Sequence, residues 1–157
     1  YYEICQSYNL PVLLHMGPTS PVLEFQWATP LQVDKAAHDF PKVNFILAHG
    51  ATAHTDQCLS ACAYRPNIYM DISGYIKARH PNGWEQHLKE IFSYELNHKI
   101  IFGTDWPVFK SPGGQKDNIQ GFISDGGILS NLSIEDQRNI LHDNIMRLIP
   151  PSGSAES

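Results

Sequence analysis

Two histidines and an aspartate occupy comparable places in a chain of 157 residues. His15 closes the apolar run "LPVLLH", His49 closes "KVNFILAH", and Asp105 closes "KIIFGTD". A glycine follows each histidine within two residues, as it would where backbone turns sharply or approaches a ligand. A further run, "NIYMDIS", carries Asp71 and Ser73 near its end. Neutral imidazole is a good ligand for zinc and similar divalent ions, and a carboxylate oxygen completes such a site. A carboxylate beside a metal-held water can also take its proton. Any one of these residues alone reads as a hydrogen-bonded structural group. Three of them at equivalent places in successive units point to one shared site. Trp106, directly after Asp105, is either an apolar wall for a ring-bearing substrate or a packing residue under its loop.

The elements that must carry these residues alternate. Segment 1–9 reads as the end of a helix, with Asn9 near its stop. Strands are predicted over 10–15, 42–49, 67–73 and 99–105, and helices over 29–40, 54–65, 84–96 and 133–149, with a short helix near 117–125. Thr29 and Pro30 suit the N-cap and first position of the second helix. Ser133 with Asp136 resembles a capping box, and Ile134, Leu141, Ile145 and Leu148 are expected on one face of the closing helix. The strands are apolar through most of their length, which suits a parallel sheet buried on both faces. Helices between them supply the crossovers that parallel pairing needs. In such folds ligands collect at the C-terminal strand ends, where His15, His49 and Asp105 fall. A rigid strand end can aim an acid into a pocket the strands share, and Pro107 keeps the chain from continuing as strand.

Bulk properties remove several classes. Net charge is −5 with no basic cluster, so nucleic acid is not an expected partner. No apolar run is long enough to span a membrane, and no signal peptide is visible. The first residue is Tyr1 rather than Met, so translation is expected to begin upstream. Three cysteines, Cys5, Cys58 and Cys62, give no disulfide framework, and a reducing, cytoplasmic setting is expected. His54, Cys58 and Cys62 share one helix face, but three small groups at helical spacing read as packing before they read as zinc ligands. The other histidines, His38, His80, His87, His98 and His142, read as surface or packing residues. One domain is expected over 1–149, with 150–157 a flexible tail.

"NLPVLLHMG", "FPKVNFILAHGA", "RPNIYMDISGY", "KIIFGTDWP" and "ILHDNIMRLI", in this order and spacing, resemble the metal-dependent amidohydrolase superfamily, in its amidohydrolase-2 branch. The resemblance covers Tyr1 to about Ile149. It implies an α/β fold, the C-terminal half (strands five to eight) of a (β/α)8 TIM-type barrel. By that resemblance His15 is a metal ligand, His49 a ligand or an acid/base group, and Asp105 a ligand that also handles the water proton. Asn144, in the closing motif, looks structural. The first-strand His-x-His pair of the family is absent from this sequence.

The resemblance implies a divalent metal, zinc first, and a small-molecule substrate. The expected activity is hydrolysis of an amide, ester or lactone by activated water, with catalysis by Asp105 and His49. Alternatives are metal-dependent decarboxylation of an aromatic or unsaturated acid, and a catalytically incomplete half-barrel serving as a binding module. Four βα units leave two open sheet edges, so the segment by itself is expected to self-associate, as a homo-oligomer, unless the other half completes it.

Overall fold

The computed structural model describes residues 1–19, 21–75, 83–108 and 114–150. Helices and strands alternate: α1 (Tyr2–Ser7), β1 (Val12–Leu14), α2 (Pro30–Asp39), β2 (Phe45–Leu47), α3 (Thr55–Tyr64), β3 (Ile68–Asp71), α4 (Trp84–Phe92) and β4 (Ile100–Ile101). Three helices follow: α5 (Gly114–Ile123), α6 (Ile134–Arg138) and α7 (Asn144–Leu148), the last two joined by a π-helical turn at Asn139–Asp143. The strands form one four-stranded sheet in the order β1-β2-β3-β4. Every pairing is parallel, with Leu14 opposite Leu47, Leu47 opposite Met70, and Met70 opposite Ile100. No helix among the described residues is long and apolar enough to cross a membrane.

Strand alternation divides the sheet into two unequal faces. Phe45, Leu47, Ile68, Met70 and Ile100 are fully buried under the helices. There they join Val33 and Ala37 of α2, Cys58, Leu59 and Cys62 of α3, and Leu88, Ile91 and Phe92 of α4 in the main core. The Cys58 thiol is held well above its usual pKa, first by its hydrogen bond with Cys62 and then by burial, as befits a packing thiol. The opposite face holds a small cluster of Ile46, Ile101 and Leu148, flanked by Tyr69 and Ile145. Leu13, opposite Ile46 in register, lies 64% exposed.

Polar side chains sew the sheet to its connections at the N-terminal strand ends. The Asn67 amide donates to the carbonyls of Ala37, Phe40 and Val43 at 3.0, 3.2 and 2.9 Å. The Lys99 ammonium donates to the carbonyls of Arg65, Pro66 and Ile68 at 2.5, 3.1 and 3.1 Å. Burial lowers its pKa, and three acceptors for three N–H groups keep the charge satisfied. Asn144, fully buried, donates to the carbonyls of Asn97 and Ile100 at 2.7 and 2.6 Å, which fixes the closing helices beneath β4. Asn144→Ala is therefore expected to cost about 1–3 kcal/mol, because it removes donors from buried carbonyls. A fall in urea midpoint with unchanged slope checks this, and a midpoint equal to the parent's would contradict it.

The closing segment departs from the expected single face. Ser133 does cap α6, its hydroxyl accepting from the Asp136 amide at 3.1 Å, but Ile134 is 79% exposed. The π-helical turn holds one residue more per turn than an α-helix and rotates the face that follows. Ile140 is buried instead. Thr29 occupies the N-cap of α2 with Pro30 behind it, yet the Thr29 hydroxyl makes no capping hydrogen bond. Strand β4 is shorter than 99–105, because the Phe102 amide donates to the Ile140 carbonyl at 2.9 Å rather than to a strand. The expected tail lies outside the described residues from position 151 onward, as does His80.

Candidate functional site

His15, His49 and Asp105 line one cavity of about 580 Å³ at the C-terminal ends of the strands. Asp71 and Ser73 line it too, and Leu13, Ile46, Ile101, Phe102 and Ile145 supply apolar walls. Residues 34 and 56 positions apart in sequence meet here because all four strands run in one direction. Trp106 is 67% exposed and is not among the residues that line the cavity.

The backbone beneath two of these residues is unusual. His49 has φ 62° and Asp105 has φ 59°, both in the left-handed region, as are Gly50, Ala51 and Ala53. For an L-residue with a side chain this costs about 1–2 kcal/mol each. Such conformations persist where surrounding contacts over-determine them, and they concentrate at functional sites. Around His49 those contacts are visible. The Asp71 carboxylate accepts from the His49 amide at 3.0 Å and from the Ser73 amide at 2.8 Å. After His15, Gly17 (φ +83°) brings the chain so close to the β2 loop that an added Cβ would lie 2.4 Å from the Thr52 carbonyl oxygen. At the end of β4, a Cβ on Gly103 would lie 3.0 Å from the Ser73 Cβ, so glycine lets β4 close on β3 beside the cavity.

The two imidazoles meet edge to face, with ring centroids 4.9 Å apart. His49 Nε2 stands 3.1 Å from His15 Nδ1. His49 is buried at 6% exposure, as are Asp71 and Ser73 at 7% and 8%, while His15 is exposed. His49 Nδ1 faces the Ser73 hydroxyl at 2.9 Å and the Ser73 carbonyl at 3.2 Å. His15 Nε2 faces the Gly17 carbonyl at 3.2 Å.

Two imidazole nitrogens each ~2.0–2.1 Å from one ion stand about 2.9–3.4 Å apart, for angles between square and tetrahedral. The observed separation falls in that range, so His15 and His49 fit two corners of a divalent-ion site. Among the described residues no three His, Cys, Asp or Glu side chains are grouped closely enough to hold an ion, and that includes the expected set His15, His49 and Asp105 as well as His54, Cys58 and Cys62. The sequence had pointed to His15, His49 and Asp105. It gave Asp71 and Ser73 no role, although their place two residues apart at a strand end was the available signal.

A parallel α/β sheet that gathers histidines and carboxylates around one cavity at its carboxyl ends has the layout of a barrel enzyme's active face. The chain belongs to the amidohydrolase family: the family model described as Amidohydrolase matches residues 1–150. Its fold is that of a partial TIM barrel. An uncharacterized TIM-barrel protein from Bordetella bronchiseptica superposes with TM-score 0.69 at 22% identity, covering 94% of this chain and 48% of that one. A dihydroxybenzoic acid decarboxylase from Polaromonas, with bound manganese and the inhibitor 2-nitroresorcinol, gives TM-score 0.63 at 17% identity, covering 94% and 52%. An amidohydrolase from Burkholderia multivorans with bound zinc gives 0.60 at 16% identity, covering 94% and 55%. At these identities the likeness is one of fold. The chain spans about half the length of the solved chains it matches.

Proposed function

We propose that this chain supplies one side of the active site of a metal-dependent enzyme that acts on a small molecule with a carbonyl or carboxyl group. The observation that carries the reading is the approach of His49 Nε2 to His15 Nδ1 at 3.1 Å, in a cavity that Asp105 also lines. His15 and His49 would hold a divalent ion, and Asp105, which lines the same cavity without grouping with them, would have to draw in to serve as a further ligand. That ion would supply Lewis acidity toward a substrate oxygen and acidify a water. The metals in two fold neighbours, zinc and manganese, support the choice of a divalent ion, and imidazole with carboxylate suits zinc.

Hydrolysis of an amide, ester or lactone is the first reading, in keeping with the family. In it Asp105 would take a proton from the attacking water, and His49 would either ligate the ion through its bare Nε2 or, where the ion rests on other residues, first accept a proton there and then return it to the leaving group. The apolar walls Leu13, Ile46, Ile101, Phe102 and Ile145 favour a second reading, decarboxylation of an aromatic or unsaturated acid. There the walls take the ring, and a site acid protonates carbon as carbon dioxide leaves. Cytoplasmic residence goes with either reading, since Cys5, Cys58 and Cys62 are free thiols.

The test uses the intact protein, freed of metal by a chelator and reloaded separately with zinc and with manganese. Lactone, amide, ester and hydroxybenzoate panels are then assayed, with carbon dioxide release measured alongside acid release. Turnover abolished by chelation and restored by one ion is the expected result, and the product separates the two chemistries. Full turnover after chelation would overturn the metal-dependent reading. A protein that neither turns over any class nor binds metal would leave the binding-module alternative in its place.

A further inference from the structure

We propose that Asp71 and Ser73 are positioning residues that lock His49 as its Nδ1–H tautomer and present a bare Nε2 to His15 and the cavity. This rests on the reading above for its purpose, but not for its geometry.

Asp71 Oδ1 receives the His49 amide at 3.0 Å, the Ser73 amide at 2.8 Å and the Ser73 hydroxyl at 2.5 Å. Both amides can only donate, and an ionised carboxylate can only accept. The single hydroxyl proton of Ser73 is therefore committed to Asp71. Ser73 Oγ then faces His49 Nδ1 at 2.9 Å with lone pairs alone. The Ser73 carbonyl, 3.2 Å from the same nitrogen, also has only lone pairs to offer. Two acceptors on Nδ1 require a proton on it. In neutral imidazole Nε2 is then bare.

The same carboxylate fixes the backbone. Its bond to the His49 amide spans 22 positions and helps hold that residue at φ 62°, together with the Thr52 amide and hydroxyl, which donate to the His49 carbonyl at 3.0 and 2.9 Å. Asp71 thus sets where the ring stands, and Ser73 sets which nitrogen carries the proton. Imidazoles that ligate metals are commonly held in this way by a carboxylate or carbonyl on the far nitrogen. On the other side of the ring, both nitrogens of His15 face lone pairs. Nδ1 faces His49 Nε2 at 3.1 Å and Nε2 faces the Gly17 carbonyl at 3.2 Å.

The experiment reads ring nitrogens by two-bond 1H–15N spectra of the intact, metal-free, 15N-labelled protein, at about pH 8 where an ordinary imidazole is neutral. His49→Gln identifies the His49 signals by difference. The expected spectrum shows a protonated, pyrrole-type Nδ1 and a pyridine-type Nε2 for His49. An Nε2–H tautomer in the parent protein overturns the proposal whatever the variants do. In Ser73→Ala, averaging of the two nitrogen signals is expected, together with a 10–100-fold weaker zinc affinity by competition with a chromophoric chelator. Ser73→Thr, which keeps the hydroxyl, should restore both. Unchanged His49 signals in Ser73→Ala would remove Ser73 from the role. No turnover is measured at any step, so a failure of the enzymatic reading would show in the substrate panels and leave the tautomer result intact.

Discussion

Asp105→Asn in the intact protein is expected to lower kcat by about 10²–10⁴-fold, the usual cost of losing one acid/base role. The substitution suits the site because it changes little else. Asparagine has nearly the shape of aspartate and is among the residues that best tolerate a positive φ, here 59°. Asp105 is only partly buried, so the exchange leaves the core alone. What the amide lacks is basicity and negative charge, the two properties proposed for Asp105 beside an ion. His38→Ala is the matched control. His38 is exposed on α2, 3.0 Å from the Asp39 carboxylate, and far in kind from the cavity, so its turnover should stay within about twofold of the parent. Thermal melts of both variants should overlay the parent's. An Asp105→Asn enzyme that works at the parent's rate would remove Asp105 from the chemistry.

The alternation of strands and helices was legible because each signal is local. Apolar runs, Pro30 behind Thr29, and Pro66 after α3 speak for their own segments. The shared cavity was legible for a different reason. Parallel strands put all their C-terminal ends on one side, so equivalent positions in sequence become neighbours in space. The contacts that tune the site were not legible, because they depend on register. Asp71 meets His49 only because Leu47 lies opposite Met70, and no feature of "ILAHG" shows that its histidine turns left-handed. The rotated face of the closing helices was hidden for a related cause. A π-helical turn adds a residue without changing composition, so of the expected stripe Leu148 is buried and Leu141 and Ile145 pack partly buried against the core clusters, while Ile134 falls outside it.

The largest physical effect expected of the 157-residue chain by itself is association. Among the described residues no further strand pairs with the outer edge of β1 or of β4, and parallel edges offer N–H and C=O groups to any strand that meets them. The Phe102 amide is already bonded to the Ile140 carbonyl, which shortens the free edge at β4 and leaves β1 the more open. Leu13, 64% exposed on the inner face, and Val22, Leu23 and Trp27, 87%, 61% and 67% exposed in the segment after β1, add apolar surface. Such patches drive association in water. Sedimentation velocity at tens of micromolar should therefore show species larger than a monomer. Leu13→Glu should shift them toward monomer, since it charges the inner face without touching the buried core. Metal behaviour should not follow assembly. Each copy brings only His15 and His49 within 3.1 Å of one another, and two imidazoles hold zinc weakly where structural sites use four ligands. Elemental analysis after dialysis should find well under one zinc per chain. A stable monomer that keeps one tight zinc would show instead that this chain closes a metal site without a partner.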